Sequence, residues 1–176
     1  MRVVLVAVVV ASLATSARAG SDEAAMAAAA NGFYAVYQTF HPSDGVPSAS
    51  GRAKYAPYIL PELERLLDDA AAAETRFTRA NKGSPPLIEG DLFTSLFEGA
   101  TSVAVGACDG DEKTGHCKVN LEYVTIGEKP TTWNDTAYLV NTESGWRVSD
   151  IAYGGTWAFG NKGRLSETLK EVIGFQ

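Results

Sequence analysis

Hydrophobic residues follow two different periods along this chain, and the change between them separates a helical part from a β-rich part. Before Thr101, apolar side chains recur every three or four residues, as they do on one face of an α-helix. From Thr101 onwards they alternate with polar side chains, which is the pattern of half-buried strands. Helices followed by strands predict an α+β fold, with the helices packed on one face of an antiparallel sheet.

The first predicted helix begins near Ser21, which can cap it, and places Asp22 and Glu23 in its first turn. Pro42 ends this helix, and residues 41–54, rich in Ser, Gly and Pro, are predicted to form a loop. Its apolar stripe consists of Met26, Phe33, Val36, Tyr37 and Phe40.

A second helix is predicted from Pro61, a residue that suits the first turn of a helix. Its apolar face consists of Leu63, Leu66, Leu67, Ala70, Ala73 and Phe77. A short helical turn over residues 91–97 is expected to bury Leu92, Phe93, Leu96 and Phe97. The last helix runs from about Gly163 to Ile173.

Four strands are predicted in the second part, at residues 101–108, 117–126, 132–141 and 145–153. Their short connections predict an antiparallel four-stranded meander. A tight turn after Asn141 places this residue opposite Trp146. The pairs that follow in this register are Leu139–Val148, Ala137–Asp150 and Asp135–Ala152.

This register gathers two acidic and two aromatic side chains on one face of the sheet: Trp133, Asp135, Trp146 and Asp150. We predict that they line a binding site for an apolar or aromatic ligand. Asp135 and Asp150 would be diagonal neighbours, and burial with like charge would raise the pKa of one, so that the pair divides acid and base roles. Two structural explanations stay open: Asp150 accepts hydrogen bonds from backbone or arginine groups, and Asp135 is solvated at an edge.

The opposite face of the predicted sheet is also partly apolar, because it carries Tyr138, Val140, Ile151 and Tyr153. One face is expected to take the helices. The other is expected to line a cavity or to meet a second chain in a homodimer.

The N-terminus has the features of a cleavable signal peptide. Arg2 precedes an apolar run from Val3 to Ala11, and Ala17-Arg18-Ala19 is a small-x-small cleavage motif. The apolar run is too short to span a bilayer as a helix. We therefore predict a signal peptide at residues 1–19 and a single α+β domain at residues 20–176. The protein is expected to be exported to the periplasm or secreted.

The two cysteines, Cys108 and Cys117, are predicted to form one disulfide, since their number is even and they follow an export signal. A metal site that includes His116 is the alternative, but it lacks a fourth ligand at a zinc spacing. His41 and His116 stand alone in predicted loops, with no nucleophile in their motifs. We predict no metal and no cofactor.

The charge of the chain excludes one large class of partners. Its formal net charge is -6, and loss of Arg2 and Arg18 with the signal peptide changes it to -8. Phosphate backbones are bound by clustered Lys and Arg, so nucleic acid is not an expected partner. Anionic lipid surfaces are disfavoured for the same reason, and no segment predicts stable membrane insertion.

Three segments carry a resemblance to known proteins: FYAVY at residues 33–37, YAPYILPEL at 55–63 and GWRVSDI at 145–151. Over most of residues 24–173 the chain resembles uncharacterised exported bacterial proteins with the nuclear-transport-factor-2-like (cystatin-like) fold. The resemblance implies a cone in which a curved sheet wraps on helices around a pocket. It would give acid or base roles to Asp135 and Asp150. The C-terminal helix departs from the common plan.

Members of that superfamily include enzymes, ligand binders and protein-binding modules, so the resemblance does not choose among them. Because no catalytic motif is assembled in the sequence, we expect a non-enzymatic binding or interaction module. Its partner would be a small apolar or aromatic ligand or a periplasmic protein. The alternatives are a small enzyme that uses Asp135 and Asp150, and an inhibitor or immunity-type protein directed against a secreted toxin or hydrolase.

Overall fold

The computed structural model describes residues 12–39 and 45–175 and has an α+β architecture. Its helical elements are α1 (Ser12–Thr39), α2 (Ala49–Tyr55), a 3-10 turn (Ala56–Tyr58), α3 (Pro61–Ala80) and α4 (Leu165–Gly174). Its strands are β1 (Ser102–Gly110), β2 (Thr114–Tyr123), β3 (Thr131–Thr142) and β4 (Gly145–Ala152). The predicted order of helices, meander and final helix is confirmed.

Helix α1 begins earlier than the sequence predicts. It starts at Ser12, so Ser21 lies inside the helix, and Asp22 and Glu23 do not occupy its first turn. Helix-favouring alanines on both sides of Ser21 let the helix continue through this point. The signal peptide stays a prediction: residues 1–11 lie outside the described residues, as do Phe40, His41 and Pro42. The buried side of α1 consists of Met26, Ala30, Phe33, Tyr34 and Tyr37.

The prediction of a loop throughout residues 41–54 is wrong, because helix α2 begins at Ala49. The Ser48 side chain caps it by accepting a hydrogen bond from the Gly51 amide at 3.3 Å. Arg52 is held by Asp68 of α3, with 2.6 Å between Nε and Oδ1. These local bonds stabilise a helix too short to be seen in the apolar periodicity.

Helix α3 begins at Pro61 as predicted and buries Leu63, Leu67, Ala70 and Ala73. Helix α4 begins at Leu165 and buries Leu165, Leu169 and Val172. Phe77 of α3 meets Phe175, just after α4, in an edge-to-face contact with 5.5 Å between ring centroids. The C-terminal helix therefore packs beside α3 and against β4.

The sheet is an antiparallel meander in the order β1-β2-β3-β4. The predicted disulfide is present and joins Cys108 to Cys117, which are directly paired across β1 and β2. Strand β2 begins at Thr114, ahead of the predicted start, because the Asp111 carboxylate accepts bonds from the Lys113 and Thr114 amides and tightens the turn. Both edge strands are irregular, with one extra residue between Val105 and Cys108 and another at Ser149.

The two faces of the sheet differ in polarity. One face packs against the helices and contributes Cys117, Val119, Leu121, Trp133, Ala137, Leu139, Trp146, Val148 and Ile151 to the core. The other carries His116, Lys118 and Asn120, which are exposed. Ile151 was predicted on the outer face; the extra residue at Ser149 moves it into the core.

Residues 91–99 form an irregular loop and not the predicted helical turn. The Asp91 amide donates to the Phe97 carbonyl at 2.8 Å, and this bond closes the loop in place of the i→i−4 bonds of a helix. Leu92, Phe93 and Leu96 are buried as predicted, but the Phe97 side chain is 41% exposed. Within the described residues, no helix is both long and apolar enough to cross a membrane.

We expect the disulfide to stabilise the β1–β2 hairpin by restricting the unfolded chain. Its ring is closed over a sequence separation of 9 residues, which corresponds to about 2–3 kcal/mol in chain-entropy terms. Urea denaturation with and without dithiothreitol measures this difference. The double variant Cys108→Ser/Cys117→Ser should unfold like the reduced protein and be insensitive to the reductant; equal stability in both redox states contradicts the prediction.

Candidate functional site

Asp135 lies at the centre of a buried hydrogen-bond network. Strand alternation turns its side chain inwards from β3, where it is 1% exposed. It accepts from the Ser95 amide at 2.9 Å, the Gly154 amide at 2.8 Å and the Trp133 indole at 3.3 Å, and it also bonds the Ser95 hydroxyl. The carboxylate thus joins the loop before β1 and the loop after β4 to the middle of the sheet.

Asp91 organises the loop before β1 from inside. Its Oδ1 accepts from the Phe93 and Thr94 amides, both at 2.7 Å, and its side chain is buried. The Tyr37 hydroxyl, which accepts from the Ala100 amide at 2.8 Å, lies beside it. The loop is therefore held at both ends by groups of helix α1 and of the loop itself.

Burial changes the acid–base behaviour of this network. It raises the pKa of Asp91 from 3.8 to about 6, against the opposing effect of the hydrogen bonds from Tyr37 and the loop amides. Burial also raises the pKa of Asp135, while its bonds to Ser95, Gly154 and Trp133 favour the charged form. The pKa of Tyr34 is far above its ordinary value because of burial and the nearby carboxylates, so it stays neutral.

Asp150 does not join Asp135, so the predicted pair of carboxylates is not formed. The predicted register is confirmed for Asn141–Trp146 and Leu139–Val148. Beyond them the extra residue at Ser149 pairs Asp150 with Tyr138 in place of Ala137. Since β3 side chains alternate between faces, Asp150 lies on the outer face and Asp135 on the inner one.

Asp150 instead fastens helix α4 to β4. Its carboxylate accepts from the Ser166 amide at 3.0 Å and from the Ser166 hydroxyl at 2.7 Å, in the first turn of α4. Arg164 pairs with it at 3.7 Å and stacks over the Tyr138 ring at 4.2 Å. An anionic group is stabilising at a helix N-terminus, so this arrangement agrees with the structural explanation of Asp150.

The two predicted site tryptophans also separate. Trp146 is buried at the β3–β4 turn end of the sheet, opposite Asn141. Trp133 lies near the other end, next to Asp135, and meets Trp157 edge to face with 5.3 Å between ring centroids. Of the four predicted site residues, the structure brings together only Trp133 and Asp135.

An apolar groove is connected to this pair of residues through the Trp133–Trp157 ring contact. It has a volume of about 470 Å³ and is formed by the side chains of Leu96, Phe97, Trp157 and Phe159, together called the aromatic groove below. Glu89 and Glu98, both exposed, line it as well. Phe159 is 90% exposed, an unusual position for a large aromatic side chain.

The two loops that carry the aromatic groove are bonded to each other. The Asn161 side chain donates to the carbonyls of Asp91 and Thr94, each at 2.7 Å, and its amide donates to the Ser95 carbonyl at 2.9 Å. The Gly155 amide donates to the Ser95 hydroxyl at 2.9 Å. The groove walls are thus fixed by hydrogen bonds that also reach Asp135.

The two buried carboxylates of the network are closed off from solvent. Asp91 and Asp135 are 2% and 1% exposed, so a substrate atom does not reach them while the loops stay in place. No group of three or more His, Cys, Asp or Glu side chains suited to a metal occurs within residues 12–39 and 45–175. His116 is exposed on the outer face, 6.1 Å from the Tyr138 ring centroid.

No family model matches the chain, and no curated protein matches it. Among solved structures it is similar to the solution structure of a SEC-C motif containing protein from Rhodopseudomonas palustris, with 13% identity and a TM-score of 0.42. The alignment covers 77% of this chain and 84% of that protein. A likeness this weak carries no argument about function.

We expect Asp135→Ala to loosen the groove loops selectively. It removes the acceptor for buried donors, which should cost at least about 3 kcal/mol of unfolding free energy. Hydrogen exchange should quicken at the Ser95 and Gly154 amides. Asp135→Asn, which keeps one acceptor oxygen, should be intermediate.

Asp150→Ala is the matched control for that experiment. It should quicken exchange at the Ser166 amide and leave Ser95 protected, at a cost of about 1–2 kcal/mol, as for a lost helix cap. The same exchange pattern in both Ala variants would show that the two carboxylates belong to one unit, contrary to the separation described here.

The raised pKa of Asp91 predicts a pH-dependent stability. Its folded value of about 6 exceeds the unfolded value of 3.8, so protonation favours the folded state. This contribution to the free energy of unfolding is about 3 kcal/mol when the pH is below the pKa of the unfolded state. It is lost as the pH rises through the pKa of the folded state. Comparing urea denaturation of wild type and Asp91→Asn from pH 3.5 to 7 isolates it. A wild-type advantage that does not change over this window contradicts the prediction.

Proposed function

We propose that this protein is an exported, non-enzymatic binding module whose ligand site is the aromatic groove. The proposal rests on one observation: Phe97 and Phe159 stand exposed beside Leu96 and Trp157 on two loops that a buried carboxylate and Asn161 hold together. Exposed aromatic side chains on a fixed framework favour binding, because little conformational freedom is lost when a ligand enters.

The composition of the groove indicates the kind of ligand. Its volume of about 470 Å³ lies in the range of small-molecule sites, which are mostly apolar with a few polar groups. Phe97, Trp157 and Phe159 offer aromatic faces and edges, and Glu89 and Glu98 add negative charge beside them. Aromatic rings next to carboxylates attract cations, so we expect an apolar or aromatic ligand that carries positive charge.

An enzymatic role has less support. The acid–base pair on which the enzyme hypothesis depends, Asp135 and Asp150, is divided between the two sides of the sheet by the irregularity at Ser149. Each carboxylate has a structural set of hydrogen bonds: Asp135 with the groove loops, and Asp150 with helix α4. Removal of either carboxylate is therefore expected to lower the free energy of unfolding, whether or not the protein has a catalytic activity.

Export and the finer fold class are parts of the same proposal. Arg2, the apolar run from Val3 to Ala11 and the Ala17-Arg18-Ala19 motif support a signal peptide. The disulfide between Cys108 and Cys117 is compatible with an oxidising compartment. Helices on one face of a four-stranded meander support the nuclear-transport-factor-2-like assignment at the level of architecture.

Three probes that share a phenyl ring but differ in charge test the proposed site: phenethylammonium, phenylethanol and phenylpropionate. We expect binding in the order cation, neutral, anion, with shifts in the NMR signals of the Trp157 indole and the Phe97 amide. Added salt should weaken the cation and not the alcohol. Phe159→Ala should weaken the cation about tenfold, because it removes one aromatic wall.

The matched control is Phe175→Ala, which removes an exposed phenylalanine outside the groove, 57% exposed beside Phe77. This variant should bind all three probes like wild type. No shift at Trp157 with any probe at millimolar concentration, or equal effects of the two Phe variants, would refute the groove as the site.

A further inference from the structure

A second exposed apolar feature lies at the same end of the sheet as the aromatic groove. The loop between β2 and β3 carries Val124 and Ile126, whose side chains are 45% and 100% exposed. Antiparallel order places this loop where β1 begins and β4 ends, the end of the sheet at which the Phe97 loop arrives and the Phe159 loop leaves. Of the five large apolar side chains exposed in the described residues, four lie at this end: Phe97, Val124, Ile126 and Phe159.

One hydrogen bond connects this β2–β3 tip, defined as Val124–Ile126, with the segment that leads from the first groove loop into β1. The Val124 amide donates to the Thr101 hydroxyl at 3.1 Å, and the Thr101 amide donates to the Glu122 carbonyl at 2.8 Å. Thr101 directly follows the loop that carries Phe97. On the other side, Trp133 near the start of β3 contacts Trp157 of the groove. The tip and the groove loops are therefore linked through the ends of β1 and β3, which lie at the same end of the sheet.

We propose that the aromatic groove and the β2–β3 tip form one docking surface for a polypeptide segment in which apolar side chains are flanked by basic ones. The inference rests on the proposed function of the groove and names the class of its ligand. A small molecule that fills the groove leaves Ile126, at 100% exposure, uncovered. An extended segment with several apolar side chains covers both features.

The charge of this surface argues against two other occupants, a second copy of the chain and an anionic lipid surface. Glu89 and Glu98 line the groove, and the whole chain has a formal charge of -6. A second copy of this chain, or an anionic lipid surface, would bring like charge against these acids. The tip itself is followed by one acid and one base, Glu128 and Lys129, and the Lys162 ammonium donates to the Gly155 carbonyl of the second groove loop at 3.2 Å. The preference for basic partners therefore comes from Glu89 and Glu98.

The tip is also ordered enough to contribute to binding. The Glu128 amide donates to the Thr125 carbonyl at 3.1 Å, and Gly127 has a φ of 86°, a backbone conformation that glycine adopts without strain. This turn presents Ile126 in one place. A residue already held in its exposed position gains more from burial than one on a flexible loop.

Fluorescence anisotropy with two labelled heptapeptides tests the docking surface. One alternates Lys with Leu and Phe, and the other alternates Glu with the same apolar residues. We expect the basic peptide to bind and the acidic one to bind at least tenfold more weakly. Ile126→Ser should weaken binding of the basic peptide about five- to tenfold, because the serine side chain offers almost no apolar surface for the peptide to bury. Phe175→Ser, outside this surface, should change it less than twofold.

Phenethylammonium separates this inference from the function on which it rests, because it fills the groove alone. Ile126→Ser should leave its binding unchanged. If phenethylammonium binds but the basic peptide is insensitive to Ile126→Ser, or both peptides bind equally, the polypeptide surface is refuted and the groove stands. If neither probe binds, both proposals fall. Dimerisation, or binding to phosphatidylglycerol vesicles, that Ile126→Ser abolishes would also overturn the inference.

Discussion

The buried carboxylate of Asp135 is the interaction on which the end of the sheet depends. The Ser95, Gly154 and Trp133 groups that donate to it lie on three separate parts of the chain. A buried charge at 1% exposure is costly unless its oxygens are hydrogen-bonded, and here two backbone amides, the Trp133 indole and the Ser95 hydroxyl donate to them. Because the donors belong to the groove loops themselves, the carboxylate holds the two loops together without a cation. Their aromatic side chains are left exposed because the loops, not the side chains, are anchored.

Asp150 shows how a single extra residue changes the role of a carboxylate. In a regular strand it would share the inner face with Asp135. The irregularity at Ser149 moves it to the outer face, and Ile151 takes the inner position. Asp150 then meets the first turn of α4, where free amides and Arg164 favour a negative charge. Two aspartates in similar strand patterns thus stabilise two different contacts: Asp135 the contact between the groove loops, and Asp150 the contact between β4 and α4.

The sequence predicts the features that depend on periodicity and turn chemistry. Helix α3 from Pro61, the meander, the Cys108–Cys117 disulfide and the Asn141–Trp146 register are of this kind. The irregularity at Ser149 leaves no local signal, since Val148 and Ile151 suit either face, and every pairing beyond it was therefore misplaced. The exposure of Phe97 depends on a hydrogen bond between Asp91 and its own loop, which hydrophobicity does not reveal. The glycines at 154 and 155 were the available hint that another loop approaches closely there.

Rigid support and exposed aromatic surface belong together in this molecule. If the groove loops were mobile, Phe97 and Phe159 would collapse onto the nearest apolar surface, and the exposure of Phe159 would not persist. The bonds from Asn161 to the Asp91 and Thr94 carbonyls join the two loops and oppose that collapse. Asp91 belongs to the same loop, and burial raises its pKa to about 6. Because Asp91 accepts hydrogen bonds from the Phe93 and Thr94 amides, we expect its protonation to change the support of the first groove wall.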